Sequence, residues 1–237
     1  KVIRGEDTVA RLGGDEFAVL LHSRESLDAI AAIARRLIDV IQEPFRLDGQ
    51  EIRLLGLAKG AAMIAPQLAT MLAFITTDAK ISANLLKRII FEASDKTFNM
   101  TVIDNDMSTN DTVLALANGL SGVTIKPGSK EYKQFTGAMH YVCEQMALMM
   151  VADGEGATKT VVLDVEGAKN HNDARKVAKA VVTSDLFKCM VFGEDPNFGS
   201  ILAAAGYSGA DMMPERINIF VEGIQIVRKG VGVSAPG

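Results

Sequence analysis

A chain of 237 residues that is 48% hydrophobic and 23% charged has ample apolar surface for a core, which excludes a disordered polymer. A formal net charge of -4, with its basic residues scattered, leaves no electrostatic footprint for nucleic acid or an anionic membrane, so neither is expected as a partner. Two cysteines, Cys143 and Cys189, both within apolar runs, exclude a disulfide framework and fit a reducing, cytoplasmic compartment.

The longest apolar runs, such as MLAFI and CMVF, fall far short of the roughly 20 residues that span a bilayer. The opening KVIRGEDTVARL lacks the apolar stretch of a signal peptide and does not begin with methionine, so the chain reads as incomplete. Residues Thr8 to Leu21 form two short β-type runs joined by Gly13 and Gly14, a hairpin pattern. Ser26 stands at an N-cap position, and Leu27, Ile30, Ala34, Leu37, Ile38 and Ile41 follow at helical spacing until Pro44. A short strand is expected in FRLDGQEIRL, and small residues take over from about Leu55, where a boundary between segments 1–54 and 55–237 is placed.

The run TMLAFI has the length of a buried strand. The spacing predicts a helix over Ser82 to Thr97, with Leu85, Leu86, Ile89, Ile90 and Ala93 on its apolar face. A second helix is predicted from Ser129 to Met150, where Phe135, Met139, Val142, Met146 and Met149 recur at intervals of three and four and read as core filler. A strand in KTVVLDVEG, a helix over about Asn172 to Val182, a strand in FKCMVFG and a short helix in SILAAAG follow. The tail RINIFVEGIQIVRKG alternates around Glu222 and Gly223 as a hairpin does. Interleaved strands and helices place the chain in the α/β (α+β) class.

Asp15 and Glu16 follow a glycine turn, where hard carboxylate oxygens can hold a divalent metal and glycines let a phosphate approach; solvated acids are the ordinary alternative. The stretch RGEDTVARLGGDEFAVLL, with Gly13, Gly14, Asp15, Glu16 and Phe17 at its centre, resembles the diguanylate cyclase (GGDEF) family. That resemblance implies a cyclic di-GMP site at Arg4 and Asp7. It covers about half a domain, without the family's earlier metal-binding strand, and so implies a binding module rather than a working cyclase.

The stretches AKGAAMIAPQLATMLAFITTDAKIS, MSTNDTVLALANG, DGEGATK, EDPNFGSILAAAGYSG and GVGV, in that order, resemble the ornithine acetyltransferase (bifunctional glutamate N-acetyltransferase) family from about Leu55 onward. The resemblance implies an Ntn-hydrolase-like layered α/β fold, here truncated at both ends. A threonine hydroxyl is a poor nucleophile without an adjacent base, and cutting the chain before it supplies its own α-amine as that base. By resemblance, self-cleavage falls between Ala69 and Thr70, and Thr70 is the catalytic nucleophile; on composition alone it would be one β-branched strand residue among several. Lys59 and Glu155 match substrate-binding positions, a cation and a carboxylate suited to an N-acetylated amino acid and a diamine, although each could equally be a solvated charge.

The implied reaction is ping-pong transfer of acetyl from N-acetylornithine to glutamate through acetyl-Thr70, without metal or bound cofactor, some members also using acetyl-CoA as donor. The family assembles as a hetero-oligomer of its two cleaved chains. Ala61, Ala62 and Gln67 stand where the family usually has Ser, Gly and Asn, and Ser200 where it usually has Arg.

DNDMSTNDTVLA approaches a calcium loop at Asp104, Asp106 and Ser108, but Thr109 and Ala115 occupy the glycine and glutamate positions. It reads instead as a turn capping a helix that begins near Asp111 and ends before Gly119. His22, His140 and His171 lack metal-ligand spacing, so no metal site is expected. Two functions are weighed: an acetyltransferase fragment and, as the alternative, a degenerate module binding cyclic di-GMP. A joining of two separate genes would also produce such a sequence.

Overall fold

The structure is a computed structural model that describes residues 8–13, 16–20, 45–47, 50–60, 71–106, 110–195 and 197–233. The helix expected after Ser26 lies outside these residues. Its strands are β1 (Thr8–Gly13), β2 (Glu16–Leu20), β3 (Phe45–Leu47), β4 (Gln50–Ile52), β5 (Leu54–Lys59), β6 (Leu72–Thr77), β7 (Thr112–Ala117), β8 (Ile219–Val221), β9 (Ile224–Arg228) and β10 (Val231–Gly232). Its helices are α1 (Ala83–Lys96), α2 (Lys130–Ala152), α3 (His171–Val182), α4 (Asp185–Phe192) and α5 (Phe198–Tyr207). Two compact units divide the chain, Lys1–Gly156 and Ala157–Gly237. The sequence reading placed its boundary at 54/55, at the first residues of β5.

The first unit opens with two hairpins. β1 and β2 pair antiparallel from Thr8 opposite Leu20 to Gly13 opposite Glu16. FRLDGQEIRL, read as one strand, is a second hairpin, β3 on β4, with Leu47 opposite Gln50.

The body of this unit is a three-stranded sheet of order β5-β6-β7, antiparallel between β5 and β6 and parallel between β6 and β7. Alternation along β6 leaves Ala73, Ile75 and Thr77 buried while Phe74 is exposed. Helix α1 buries Leu85, Leu86, Ile89 and Ala93 behind a Ser82 N-cap, as its spacing predicts. Helix α2 is capped by Ser129, whose side chain accepts from the Tyr132 N–H, and buries Phe135, Met139, Cys143, Met146 and Met150. Met149, assigned to the same stripe from sequence, is 63% exposed. The buried face of the sheet and both helices share one apolar cluster, a two-layer arrangement.

Residues Thr112–Ala117, expected as helix, form β7, paired along its length with β6 from Leu72 opposite Thr112 to Thr77 opposite Ala117. Six ladder positions beside a central strand outweigh the mild helical preference of Leu and Ala.

In the second unit Val181, Phe187, Ile201 and Ala204 form a core joined by Leu163, Met190 and Ile219. FKCMVFG is helical rather than extended: Ser184 caps α4 by accepting from the Phe187 N–H, with Asp185 in the first turn. A short apolar run has no periodicity that separates strand from helix, and here the cap decides. KTVVLDVEG forms no strand, and Val162 stands 70% exposed. The tail hairpin is present as β8 and β9, extended by β10.

Candidate active site

One end of the β5-β6-β7 sheet collects the residues of interest. Lys59 closes β5 opposite Leu72, which opens β6, and Leu72 lies opposite Thr112, which opens β7. Leu55, Leu57 and Lys59 share the sheet face of Leu72, Phe74 and Thr76, the one away from the helices, and there Lys59 is half-buried beside exposed Leu57 and Phe74. Thr70 and Ala69 lie outside the described residues, but Thr70 is bonded covalently to Met71, which is described.

Met71 is buried, and its backbone is tied on both sides to the start of β7. Its N–H donates to Asp111 Oδ1 at 2.7 Å, and its carbonyl accepts from the Thr112 N–H at 3.0 Å. Burial pushes the Asp111 carboxyl above its ordinary value, partly opposed by the Met71 N–H, which favours the charged form. Asp111 Oδ2 is covered and has no hydrogen-bond partner among the described residues. Sequence reasoning missed Asp111, reading it as a helix start, although it sits inside the quoted stretch MSTNDTVLALANG.

Glu155 is exposed just beyond α2, and no hydrogen bond or ion pair among the described residues brings it to Lys59 or Met71. At the opposite end of the sheet a shallow cleft of about 330 Å³ is lined by Arg53, Thr76, Asp78, Asn118 and Ser121, away from Lys59. In the second unit Lys159 pairs with Glu194 at 3.0 Å and donates to the Phe192 carbonyl at 3.3 Å. Gly13, Glu16 and Phe17 are backbone positions in β1 and β2, while Arg4, Asp7, Gly14 and Asp15 lie outside the described residues. Among the described residues no three His, Cys, Asp or Glu side chains gather as metal ligands, and no helix is long and apolar enough to cross a membrane.

The model of the ArgJ family matches residues 26–236. The chain belongs to this family. It is 48% identical over 199 residues to the glutamate N-acetyltransferase of Methanocaldococcus jannaschii, covering 81% of this chain and 49% of that protein. It is 47% identical over 189 residues to the arginine biosynthesis bifunctional protein ArgJ of Symbiobacterium thermophilum, 79% of this chain and 47% of that protein. The chain spans about half the length of these curated relatives. The crystal structure of the arginine biosynthesis bifunctional protein ArgJ from Bacillus halodurans resembles it with a TM-score of 0.67 at 37% identity, over 69% of this chain and 77% of that one.

That likeness supports the mixed α/β class of an ArgJ fold. The ArgJ match begins at Ser26 and runs through the 54/55 junction, so it reaches into the segment assigned to a cyclase-like domain. Nothing in these comparisons supports the GGDEF reading, and a cyclic di-GMP site at Arg4 and Asp7 is without support.

Proposed function

We propose that this ArgJ-family chain carries the nucleophile of an acetyltransferase that moves an acetyl group from N-acetylornithine to glutamate. The observation that carries the reading is the backbone clamp at Met71, which ties the residue after Thr70 to Asp111 and Thr112 at the sheet end where Lys59 closes β5. The names of the relatives agree with it.

In this reading the chain cuts itself between Ala69 and Thr70, and the released α-amine takes the proton of the Thr70 hydroxyl as the oxygen attacks the acetyl carbonyl. The acetyl carbon–nitrogen bond then breaks as the α-ammonium gives that proton to the departing ornithine amine; glutamate enters with its amine deprotonated, attacks acetyl-Thr70, and its surplus amine proton passes through the α-amine to the Thr70 oxygen as the ester bond breaks and N-acetylglutamate leaves. Lys59 supplies the cation for a substrate carboxylate, and Glu155 the carboxylate for an ammonium group. The reaction requires no metal or bound cofactor, and acetyl-CoA could serve as a second donor. As proposed, the working protein is a hetero-oligomer of its two cleaved chains.

The test is transfer of isotopically labelled acetyl from N-acetylornithine to glutamate by the purified chain, beside a Thr70→Ala control. Labelled N-acetylglutamate from the parent alone is expected. Equal transfer by the control would overturn the assignment of Thr70.

A further inference from the structure

The end of the sheet opposite Lys59 carries charged groups that the acetyl-transfer reading does not use. Arg53 stands just before β5, Asp78 just after β6 and Asn118 just after β7, and with Thr76 and Ser121 they line the cleft of about 330 Å³. The six residues of β5, at about 3.3 Å each, put roughly 20 Å between Arg53 and Lys59, so the two places are distinct. The rim is tied together by hydrogen bonds. The Arg53 N–H donates to Asp78 Oδ1 at 2.8 Å, and the Asp78 N–H donates back to the Arg53 carbonyl at 3.4 Å. The Asp78 carbonyl accepts from both the N–H and the hydroxyl of Ser121, at 2.9 and 2.8 Å. Asn118 accepts the Leu120 N–H on its Oδ1 at 3.0 Å, which orients the amide and leaves Nδ2 to donate elsewhere.

The two charged side chains that share this cleft do not meet. Among the described residues the Arg53 guanidinium has no hydrogen bond or ion pair, and Asp78 Oδ2 has none either. A guanidinium and a carboxylate free to approach close into a forked pair. Here the backbone of residue 53 already occupies Asp78 Oδ1, and the opposite charges stay apart in one concavity. A lone cation would suit any anion, and a lone carboxylate any cation; a fixed pair of them matches a molecule that bears both charges. We propose that this cleft binds a free α-amino acid as its zwitterion, the carboxylate held by the Arg53 guanidinium and the Asn118 amide, the ammonium by the Asp78 carboxylate. The cleft volume lies at the lower end of the roughly 300–1,000 Å³ typical of small-molecule sites, which suits so small a ligand. Arg53 is exposed, so solvent screens its charge and a dissociation constant of about 1 mM is expected.

The experiment titrates the isotopically labelled full chain with L-alanine, whose side chain adds neither charge nor donor, and follows the backbone amide resonances. Saturable shifts at Arg53, Asp78 and Asn118 are expected. N-acetyl-L-alanine lacks the ammonium and L-alaninamide lacks the carboxylate, and each should bind about tenfold more weakly or worse. Arg53→Gln removes the cation, and Asp78→Asn removes the negative charge while keeping an oxygen for the Arg53 N–H. Each should weaken L-alanine binding by about tenfold or more with an unchanged circular dichroism spectrum, whereas Lys59→Gln should leave it as in the parent. Shifts that do not saturate by about 50 mM overturn the proposal. So does N-acetyl-L-alanine binding as tightly as L-alanine, which would mark a plain anion site. Binding lost in Lys59→Gln but kept in Arg53→Gln places the amino acid at the other end of the sheet and overturns it as well. Should Asp78→Asn not fold, Arg53→Gln, a change at an exposed residue, decides together with the two blocked compounds.

Discussion

Gly56 of β5 lies directly under Met146 and Val142 of α2: a Cβ built on it would come within 2.6 Å of Met146 Sδ and 2.7 Å of Val142 Cγ1. The absent side chain is what lets a 23-residue helix rest against the sheet. The Met146 end can swing aside, but the β-branched Val142 is stiff at χ1 and has no such freedom. Gly56→Ala is expected to lose about 1–3 kcal/mol in urea unfolding, despite the backbone entropy that alanine saves. Val142→Ala in the same chain should recover part of the loss, and an absence of recovery would place the clash elsewhere.

Ile89 on α1 is fully buried in the same cluster, with Leu85 and Leu86 a turn away. Truncation removes three carbons and leaves a cavity that packed neighbours only partly fill. Ile89→Ala should cost about 2–5 kcal/mol. Phe91, two positions on and 72% exposed, is the matched control, and Phe91→Ala should stay within about 0.5 kcal/mol of the parent.

The two thiols should behave oppositely. Cys143 has no exposed surface, and burial pushes its thiol up to about 12, whereas Cys189 is exposed. Because the thiolate is the reactive form, a disulfide reagent at pH 8 should titrate Cys189 in the native chain and reach Cys143 only after unfolding. Folded Cys143 holds its proton beyond the ordinary value of 9.0, so the stability it contributes is complete below that pH and is lost as pH rises toward about 12. Cys143→Ala should flatten that alkaline decline.

The elements that the sequence discloses are those with a strong local signal. Helix α1 runs within a residue of its prediction because Ser82, an unbroken apolar stripe and Thr97 all agree. The β8–β9 hairpin is likewise disclosed by Glu222 and Gly223. What the sequence hides is decided by distant partners: Thr112–Ala117 is a strand only because β6 lies beside it, and α4 is a helix because one serine caps an otherwise ambiguous run. The family motifs point to Thr70, Lys59 and Glu155, while Asp111 becomes visible only once the pairing of β6 and β7 carries it to Met71.

The tail offers the last test, because it repeats one turn twice under different constraints. Glu222 and Gly223 join β8 to β9 with φ of 50° and 79°, and Lys229 and Gly230 join β9 to β10 with φ of 50° and 78°. Two positive φ values are the signature of a type I′ turn, in which a non-glycine first residue carries strain that asparagine bears better. Glu222→Asn should therefore stabilise the second unit by up to about 1 kcal/mol, and Gly223→Ala, which meets open space, should cost about 1–2 kcal/mol from backbone strain alone. At Gly230 the same methyl would also stand 2.5 Å from the Pro214 carbonyl oxygen, backbone that cannot rotate away. Gly230→Ala must then cost more than Gly223→Ala, and hydrogen exchange of the Val221 and Val231 amides measures the two turns separately. Equal losses would mean that strain in φ, rather than contact with Pro214, sets the cost at both.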